Sequence, residues 1–199
     1  MTHDRRIYEA LLRRDFVTFL MKVFATTNPG QDYRHNWHID AIAYLIGEAL
    51  AGRQPRLIIN LPPRYLKSVI VSVALPAWVL GHDPSRRIIC ASYGDELSRK
   101  HARDFRLVVE SQWYRDLFPA MRIDPRKNTE TEIATTGNGF RYATSIGGAL
   151  TGRGAHIIVI DDPLKAADAE SEAERVRVNE WFDSTLYTRL DDKERGIVI

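Results

Sequence analysis

The chain lacks the residues that define a disulfide framework, a cysteine-based zinc site or a membrane span. Cys90 is the only cysteine among 199 residues, which excludes an intrachain disulfide and a zinc site built on thiolates. The longest apolar run, residues 69–80, is too short to cross a bilayer. The N-terminal region has no apolar stretch suited to a signal peptide. We therefore expect a globular chain with no membrane association.

The charge is also nearly balanced. A formal net charge of +2 does not by itself indicate a nucleic-acid partner, so any such partner must be argued from local charge. The length suits one sizeable domain with a single core. Cys90 lies in the apolar run 88–91, and we expect it to be a small buried core residue.

Apolar strands alternate with amphipathic helices along the chain. Helices are predicted over residues 7–24, 37–51, 69–80, 95–117 and 170–190, and strands over 57–60, 87–92, 132–135, 140–144, 156–160 and from 197. This alternation predicts an α/β fold, with a mostly parallel sheet flanked by helices on both faces. Ligands of such sheets bind at the carboxyl ends of the strands. Residues 196–199 resemble the first half of a strand, so we expect a piece of a longer protein.

One strand end carries a lysine and a hydroxyl but lacks glycine. In the phosphate-loop pattern G-x-x-x-x-G-K-S/T, aligned on Lys67 and Ser68, the two glycine positions hold Leu61 and Leu66. Such a loop binds phosphate mainly through backbone N–H groups and the N-terminus of the next helix. Proline fixes φ, so the prolines at 62–63 are another means of stiffening the turn.

In the functional interpretation, Lys67 contacts the β- and γ-phosphates of a nucleoside triphosphate, and Ser68 Oγ ligates Mg²⁺. The alternative is a surface turn whose lysine and serine have no function. The order of strand, loop and helix favours the first interpretation.

A second strand ends in two adjacent carboxylates, Asp161 and Asp162. Paired like charges repel each other, which favours a functional reason for them. Asp161 is expected to hold Mg²⁺, and Asp162 to orient or deprotonate the attacking water. The alternative is an aspartate cap on the following turn, with Pro163 ending the strand.

Phosphoryl transfer also requires a positive group near the γ-phosphate. Arg64 lies inside the loop and is placed to act within the subunit. Arg153 lies between Gly152 and Gly154 and is placed to reach an adjacent subunit. Either one is alternatively a solvated surface arginine.

Taken together, these residues resemble the ATPase domain of the large subunit of tailed-bacteriophage terminases, which are DNA-packaging motors. The resemblance covers nearly the whole chain. It rests on WHID at 37–40, LPPRYLKS at 61–68, ASYGD at 91–95 with RKHARDF at 99–105, residues 148–154, and DDP at 161–163. The Pro-Pro-Arg-x-x-Lys-Ser form is specific to one terminase branch, which makes the missing glycines a family trait.

The resemblance implies a P-loop NTPase fold of the RecA/ASCE kind, with ATP and Mg²⁺ as cofactors. It implies that Ser68 and Asp161 are the metal ligands, and that Asp162, Arg64 and Arg153 are catalytic. Asp162 departs from the family, which usually has a glutamate here. The residues implied to contact the nucleotide are His38, Pro63, Arg64, Tyr65, Leu66, Lys67 and Ser68.

The resemblance also implies an organisation and partners. Residues 1–199 are expected to be one N-terminal ATPase domain, with a helical lead-in over 1–55 and a P-loop core over 56–199. The family's C-terminal nuclease domain is not within these residues. The implied partners are double-stranded DNA, the terminase small subunit and the portal protein. We expect a monomer in isolation that forms a ring on the portal, in the cytoplasm of the bacterial host.

Two other functions stay open. One is a helicase-like P-loop ATPase that acts on nucleic acid without a capsid. The other is an inactive prophage remnant that binds nucleotide or other subunits without turnover. A stripe of Arg99, Arg103 and Arg106 on the helix predicted over 95–117 is either a DNA contact or a solvated face.

Overall fold

A six-stranded sheet forms the centre of the computed structural model, which describes residues 3–150 and 152–199. Its strands are β1 (Arg87–Ser92), β2 (Ile123–Asn128), β3 (Glu132–Thr135), β4 (Phe140–Ser145), β5 (Ile157–Asp161) and β6 (Ile197–Val198). The order across the sheet is β2-β3-β4-β1-β5-β6. Pairings β1–β4, β1–β5 and β5–β6 are parallel, whereas β2–β3 and β3–β4 are antiparallel. The prediction of a mostly parallel sheet is confirmed.

Helices cover both faces of this sheet. They are α1 (His3–Arg14), α2 (Phe16–Thr27), α3 (Trp37–Leu50), α4 (Leu75–His82), α5 (Asp95–Val109), α6 (Gln112–Leu117) and α7 (Glu172–Trp181). Two π-helical turns, Val69–Ala74 and Phe182–Leu186, and two 3₁₀ turns, Ala166–Asp168 and Tyr187–Arg189, complete the helical structure.

The alternation of side chains along β1 separates the core into two parts. Ile88 and Cys90 belong to a large cluster with residues of α2 to α6. Ile89 and Ala91 belong to a smaller cluster on the opposite face, with Leu186. Successive residues of a strand point to opposite faces, so a strand covered on both faces is apolar throughout. The predicted layers and the burial of Cys90 are confirmed.

Two helices that were predicted to be continuous are interrupted by N-capping residues. The Asp15 carboxylate accepts a hydrogen bond from the Thr18 backbone N–H at 2.7 Å and starts α2. The Ser111 hydroxyl accepts one from Tyr114 N and starts α6. Aspartate and serine are favoured at this position because they satisfy backbone donors that have no partner within the helix.

Residues 57–60 were predicted to be a core strand, and this prediction is wrong. Their described pairing with the sheet is a single parallel bridge between Arg56 and Val198, supported by a hydrogen bond from Leu57 N to Val198 O at 3.0 Å. The Ile58 side chain is 87% exposed. The segment nevertheless runs along the sheet edge and delivers the loop 61–68 to the carboxyl ends of the strands.

β2 was not predicted. It contains Pro125 and three charged residues, and residues 125–128 are exposed. The strand therefore lacks the alternation of apolar and polar residues by which a strand is recognised in a sequence. Within residues 3–150 and 152–199, no helix combines the length and the apolar character needed to cross a membrane.

The aromatic contacts of Phe19 in α2 predict that truncating its side chain lowers the free energy of unfolding strongly. Phe19 is fully buried and meets Trp78 and Trp113 edge-on, with ring centroids 5.2 and 5.7 Å apart. We expect Phe19→Ala to lower the free energy of unfolding by about 3–5 kcal/mol, because it leaves a cavity. Met21→Ala, at a position 45% exposed on the same helix, should change it by less than about 0.5 kcal/mol. Equal effects of the two variants in urea denaturation would contradict this packing.

Candidate functional site

The carboxyl ends of three parallel strands meet at one edge of the sheet. Ser92 of β1 lies in register with Ser145 of β4 on one side and with Asp161 of β5 on the other. Asp161 is 1% exposed. Asp161 is two residues after Val159 in β5, so the two side chains point to the same face of the sheet. This is the face covered by the helices that follow the loop 61–68.

Lys67 connects the two predicted motifs. Its Nζ is ion-paired with Asp162 Oδ1 and lies 3.7 Å from Asp161 Oδ1. The three residues are brought together although about 95 positions separate them in the chain. A cation between two adjacent carboxylates offsets their mutual repulsion. Asp161 is buried, whereas Asp162 is 47% exposed at its side chain, so the two carboxylates face different surroundings.

The loop encloses a cavity of about 320 Å³. This volume is at the small end of the range that is typical of ligand sites. The cavity is lined by residues 61–69 and by Asp162. All six loop residues that the resemblance assigns to nucleotide contact therefore line one cavity, and the carboxylate proposed to act on water forms part of its wall.

Leu66 adopts the backbone conformation that glycine favours. Its φ is +64°, and that of Arg64 is +72°. Residues with a Cβ rarely enter this left-handed region, because the Cβ approaches the next carbonyl oxygen. Leu66 occupies a glycine position of the phosphate-loop pattern, so the loop retains this conformation at its second glycine position without the glycine. Asp162, with φ +51°, adopts the same conformation at the end of β5.

Ser72, and not Ser68, holds the buried carboxylate. Ser72 Oγ donates a hydrogen bond to Asp161 Oδ2 at 3.0 Å. Ser68 lines the cavity, and no side-chain hydrogen bond of Ser68 is found in the described structure. Ser72 lies in a π-helical turn, a feature that often marks functional positions. The signal for Ser72 in the sequence is its place as the single hydroxyl within the apolar run 69–80.

Two more buried polar residues lie on the same side of Asp161 as Ser72. His101 Nδ1 of α5 is 3.6 Å from Asp161 Oδ2. Arg141 of β4 is the largest fully buried side chain, and its Nη2 donates to the Ser72 backbone oxygen at 3.3 Å. The Arg141 guanidinium also lies 5.6 Å from the centre of the Phe105 ring. A charged residue within the hairpin strand predicted over 140–144 is the only sequence signal for Arg141.

Burial changes the titration of groups next to this carboxylate. Burial lowers the pKa of His101, and Asp161 offsets part of that effect while Arg141 adds to it. Burial also raises the pKa of the Cys90 thiol. His101 is therefore neutral at pH 7, and Cys90 is an unreactive core thiol.

His38 lies beside the loop. Its ring centroid is 5.3 Å from that of Tyr65 and 6.3 Å from that of Trp37. Tyr65 lines the cavity, and Trp37 is strongly exposed. An exposed aromatic group beside the loop-lined cavity is a surface on which a planar ring can stack. The structure thus brings His38 to the predicted site through Tyr65.

The two candidate arginines lie in different places. Arg64 is exposed in the wall of the cavity. Arg153 is not among the residues that line the cavity. Its Nη2 donates to Glu132 at 2.7 Å, and its guanidinium stacks 4.1 Å from the centre of the Tyr142 ring. Arg64 is therefore the arginine that this conformation brings to the site.

The basic stripe on α5 is balanced by acidic neighbours. Arg99 and Arg103 both pair with Glu130, at 3.4 and 3.0 Å. Arg106 pairs with Glu110 at 3.1 Å. These ion pairs favour the interpretation of the stripe as a solvated, paired surface.

The residues present fit a magnesium ion that is shared with phosphates. Within the described residues, no three His, Cys, Asp or Glu side chains form a cluster that could enclose a metal. Mg²⁺ commonly uses one or two carboxylates and completes its shell with phosphate oxygens and water. Asp161 Oδ1 is buried and has no hydrogen-bond partner in the described structure. This oxygen lies beside the loop and remains available for a cation.

No protein-family model matches this chain, and no curated protein matches it. The geometry of the site is therefore the basis of the functional proposal below.

The positive φ of Arg64 predicts that glycine is preferred there. Arg64→Gly and Arg64→Ala remove the same exposed side chain, but only glycine relieves the left-handed backbone. We expect Arg64→Gly to be more stable than Arg64→Ala by about 1 kcal/mol in chemical denaturation. Equal stability would contradict the loop conformation.

The lowered pKa of His101 predicts a pH-dependent stability. In the unfolded chain His101 takes up a proton near its ordinary pKa of 6.5, whereas in the folded protein it does so only at lower pH. The unfolded state then binds more protons, so the free energy of unfolding falls as the pH drops below about 6.5. Urea denaturation of wild type and His101→Asn between about pH 8 and about pH 5 should show wild type losing stability relative to the variant. A constant difference would contradict the burial of His101.

Proposed function

We propose that the chain is a magnesium-dependent ATPase domain, and that it is the motor domain of a phage terminase large subunit that drives DNA into a procapsid. The observation that carries the ATPase proposal is the convergence of Lys67 on Asp161 and Asp162 at the mouth of a loop-lined cavity. A lysine, two carboxylates and a loop-lined cavity are the parts that bind and hydrolyse a nucleoside triphosphate.

In this proposal the loop binds the triphosphate. Its backbone N–H groups, together with the helical turn that follows from Val69, provide donors and a positive dipole end for phosphate oxygens. Lys67 exchanges its ion pair with Asp162 for the β- and γ-phosphates. A P-loop NTPase fold is consistent with the passage from an extended segment, through the loop, into a helix at the carboxyl edge of a parallel sheet.

Asp161 and Ser68 would hold the magnesium ion, which neutralises the charge that develops on the phosphates. Asp161 is already held through Oδ2 by Ser72. Ser68 lines the same cavity as Lys67, which lies 3.7 Å from Asp161 Oδ1, and we assign its hydroxyl as the second protein ligand.

Asp162 would orient the attacking water and accept its proton. Its side chain is half exposed and forms part of the cavity wall, so it is open to water as a general base must be. The left-handed backbone at Asp162 turns it away from the regular course of β5. This turn offers a way for an aspartate to work where the family usually has a longer glutamate.

Arg64 is the arginine that we assign to the γ-phosphate. It is exposed in the cavity wall, and no ion pair of Arg64 is found in the described part of the chain. Arg153 would first have to leave Glu132 and Tyr142. A role for Arg153 in a neighbouring subunit thus requires that this loop rearranges in an assembled ring.

The terminase assignment rests on the resemblance of residues 61–68 and 161–163, and the same resemblance is the basis for the proposed partners. These are double-stranded DNA, the small subunit and the portal, on which copies of the chain form a ring in the host cytoplasm. The aromatic group of Trp37, His38 and Tyr65 is the proposed contact for the adenine base.

One observation favours the alternative of a chain that binds nucleotide without turnover. Asp162, the proposed base, is engaged by Lys67, and it is one methylene shorter than the family's glutamate. This alternative differs from the ATPase proposal in one measurable respect, because binding persists while hydrolysis is absent.

The test compares magnesium-dependent phosphate release with nucleotide binding by calorimetry. Lys67→Ala should abolish both, because the lysine contacts the phosphates. Asp162→Asn should retain binding and lose turnover by a factor of about 10² or more. Lys100→Ala, which removes an exposed lysine paired with Asp104, is the matched control and should leave both unchanged.

Hydrolysis that persists in Lys67→Ala would overturn the site assignment. Nucleotide binding by wild type without any phosphate release would overturn the ATPase proposal and support the inactive alternative.

A further inference from the structure

Asp161 is surrounded by polar side chains from three separate elements. Ser72 comes from the π-helical turn Val69–Ala74, His101 from α5 and Arg141 from β4, and all three are buried. None of the three lines the cavity that contains Lys67. They lie behind the carboxylate, on the side of the large core cluster.

The contacts of these residues form a chain that ends on one oxygen of Asp161. Arg141 donates to the backbone oxygen of Ser72 at 3.3 Å, and Ser72 Oγ donates to Asp161 Oδ2 at 3.0 Å. His101 Nδ1 lies 3.6 Å from the same Oδ2. Oδ2 is thus engaged from behind, whereas Oδ1 faces Lys67 at 3.7 Å.

This arrangement is costly as a purely structural feature. Arg141 has no carboxylate within 4 Å among the described residues, and two of its guanidinium nitrogens have no hydrogen-bond partner there. His101 Nδ1 is also buried without a hydrogen bond in the described structure. Apolar residues of similar volume usually stabilise a core at least as well as buried charges do. A specific function of the buried group explains why it is present.

We propose that Ser72, His101 and Arg141 are positioning residues, which hold Asp161 so that Oδ1 is presented to a divalent cation bound with a nucleoside triphosphate. The proposal rests on the proposed function. Ser72 fixes Oδ2 directly, and Arg141 acts through Ser72 by holding the turn that carries it. His101 closes the third side and prevents rotation of the carboxylate toward α5. Residues of this kind orient metal ligands, and their loss typically weakens metal affinity by 10- to 100-fold.

The experiment measures binding of Mn²⁺, as a paramagnetic substitute for Mg²⁺, to the whole chain with a non-hydrolysable ATP analogue, using electron paramagnetic resonance. Ser72→Ala should weaken Mn²⁺ binding by about 10-fold or more, and His101→Leu should do the same. His101→Asn, which keeps a polar group at this position, should restore most of the affinity. Arg141→Met tests whether the hydrogen bond from Arg141 to the Ser72 backbone oxygen contributes to the Mn²⁺ affinity.

Val159→Ala is the matched control. Val159 is fully buried on β5, on the same face as Asp161 and two residues before it. This variant should lower the melting temperature and leave the Mn²⁺ affinity unchanged, so it separates loss of packing from loss of positioning. If Arg141→Met does not fold, Ser72→Ala and the His101 pair decide the outcome.

The outcomes distinguish this inference from the proposed function. Wild-type affinity in both Ser72→Ala and His101→Leu would overturn the inference and leave the ATPase proposal intact. The inference would also be overturned if Val159→Ala weakened Mn²⁺ binding as much as Ser72→Ala does. It would be overturned as well if His101→Asn weakened Mn²⁺ binding as much as His101→Leu does. Failure of the wild-type chain to bind Mn²⁺ with the nucleotide analogue would overturn both.

Discussion

The site depends on one lysine that lies between two carboxylates. Lys67 brings the loop 61–68 against the end of β5, and it does so by pairing with Asp162 while it remains near the buried Asp161. Removing Lys67 would leave an uncompensated charge at the buried Asp161, whereas its pair with the half-exposed Asp162 is screened by solvent. The same lysine therefore stabilises the apo arrangement and is the group that a triphosphate would recruit. In the proposed function, nucleotide binding would open this ion pair.

The two aspartates have different surroundings, and this difference suits different tasks. Asp161 is held from behind by Ser72 and is shielded from water by α5 and the π-helical turn. Asp162 is half exposed at the edge of the cavity. A fixed, dry carboxylate is suited to holding a cation, whereas a solvated one is suited to handling water. The left-handed backbone at Asp162 separates the two side chains, so one strand end provides both environments.

Much of the sheet and half of the site could be predicted from local patterns. The apolar runs that became β1 and β5, and the turn between β3 and β4, carry their own signals in spacing and turn residues. Lys67 and the aspartate pair were recognisable because strand ends in a parallel sheet converge. Residues 57–60 look like a core strand, but the described pairing of this segment with the sheet is a single bridge between Arg56 and Val198. Ser72 and Arg141 leave only weak signals in the sequence, since their importance comes from contacts with distant elements.

The central claim is that the loop binds the phosphates of ATP and that Lys67 changes partner when it does so. A crystal structure of the chain with Mg²⁺ and a non-hydrolysable ATP analogue tests this most directly. The account predicts that the backbone of residues 63–68 wraps the β-phosphate, that Lys67 Nζ has left Asp162 for the phosphates, and that Asp161 remains on Ser72 with Oδ1 toward the cation. A nucleotide bound elsewhere, or a Lys67 that stays on Asp162 with the nucleotide present, would contradict it.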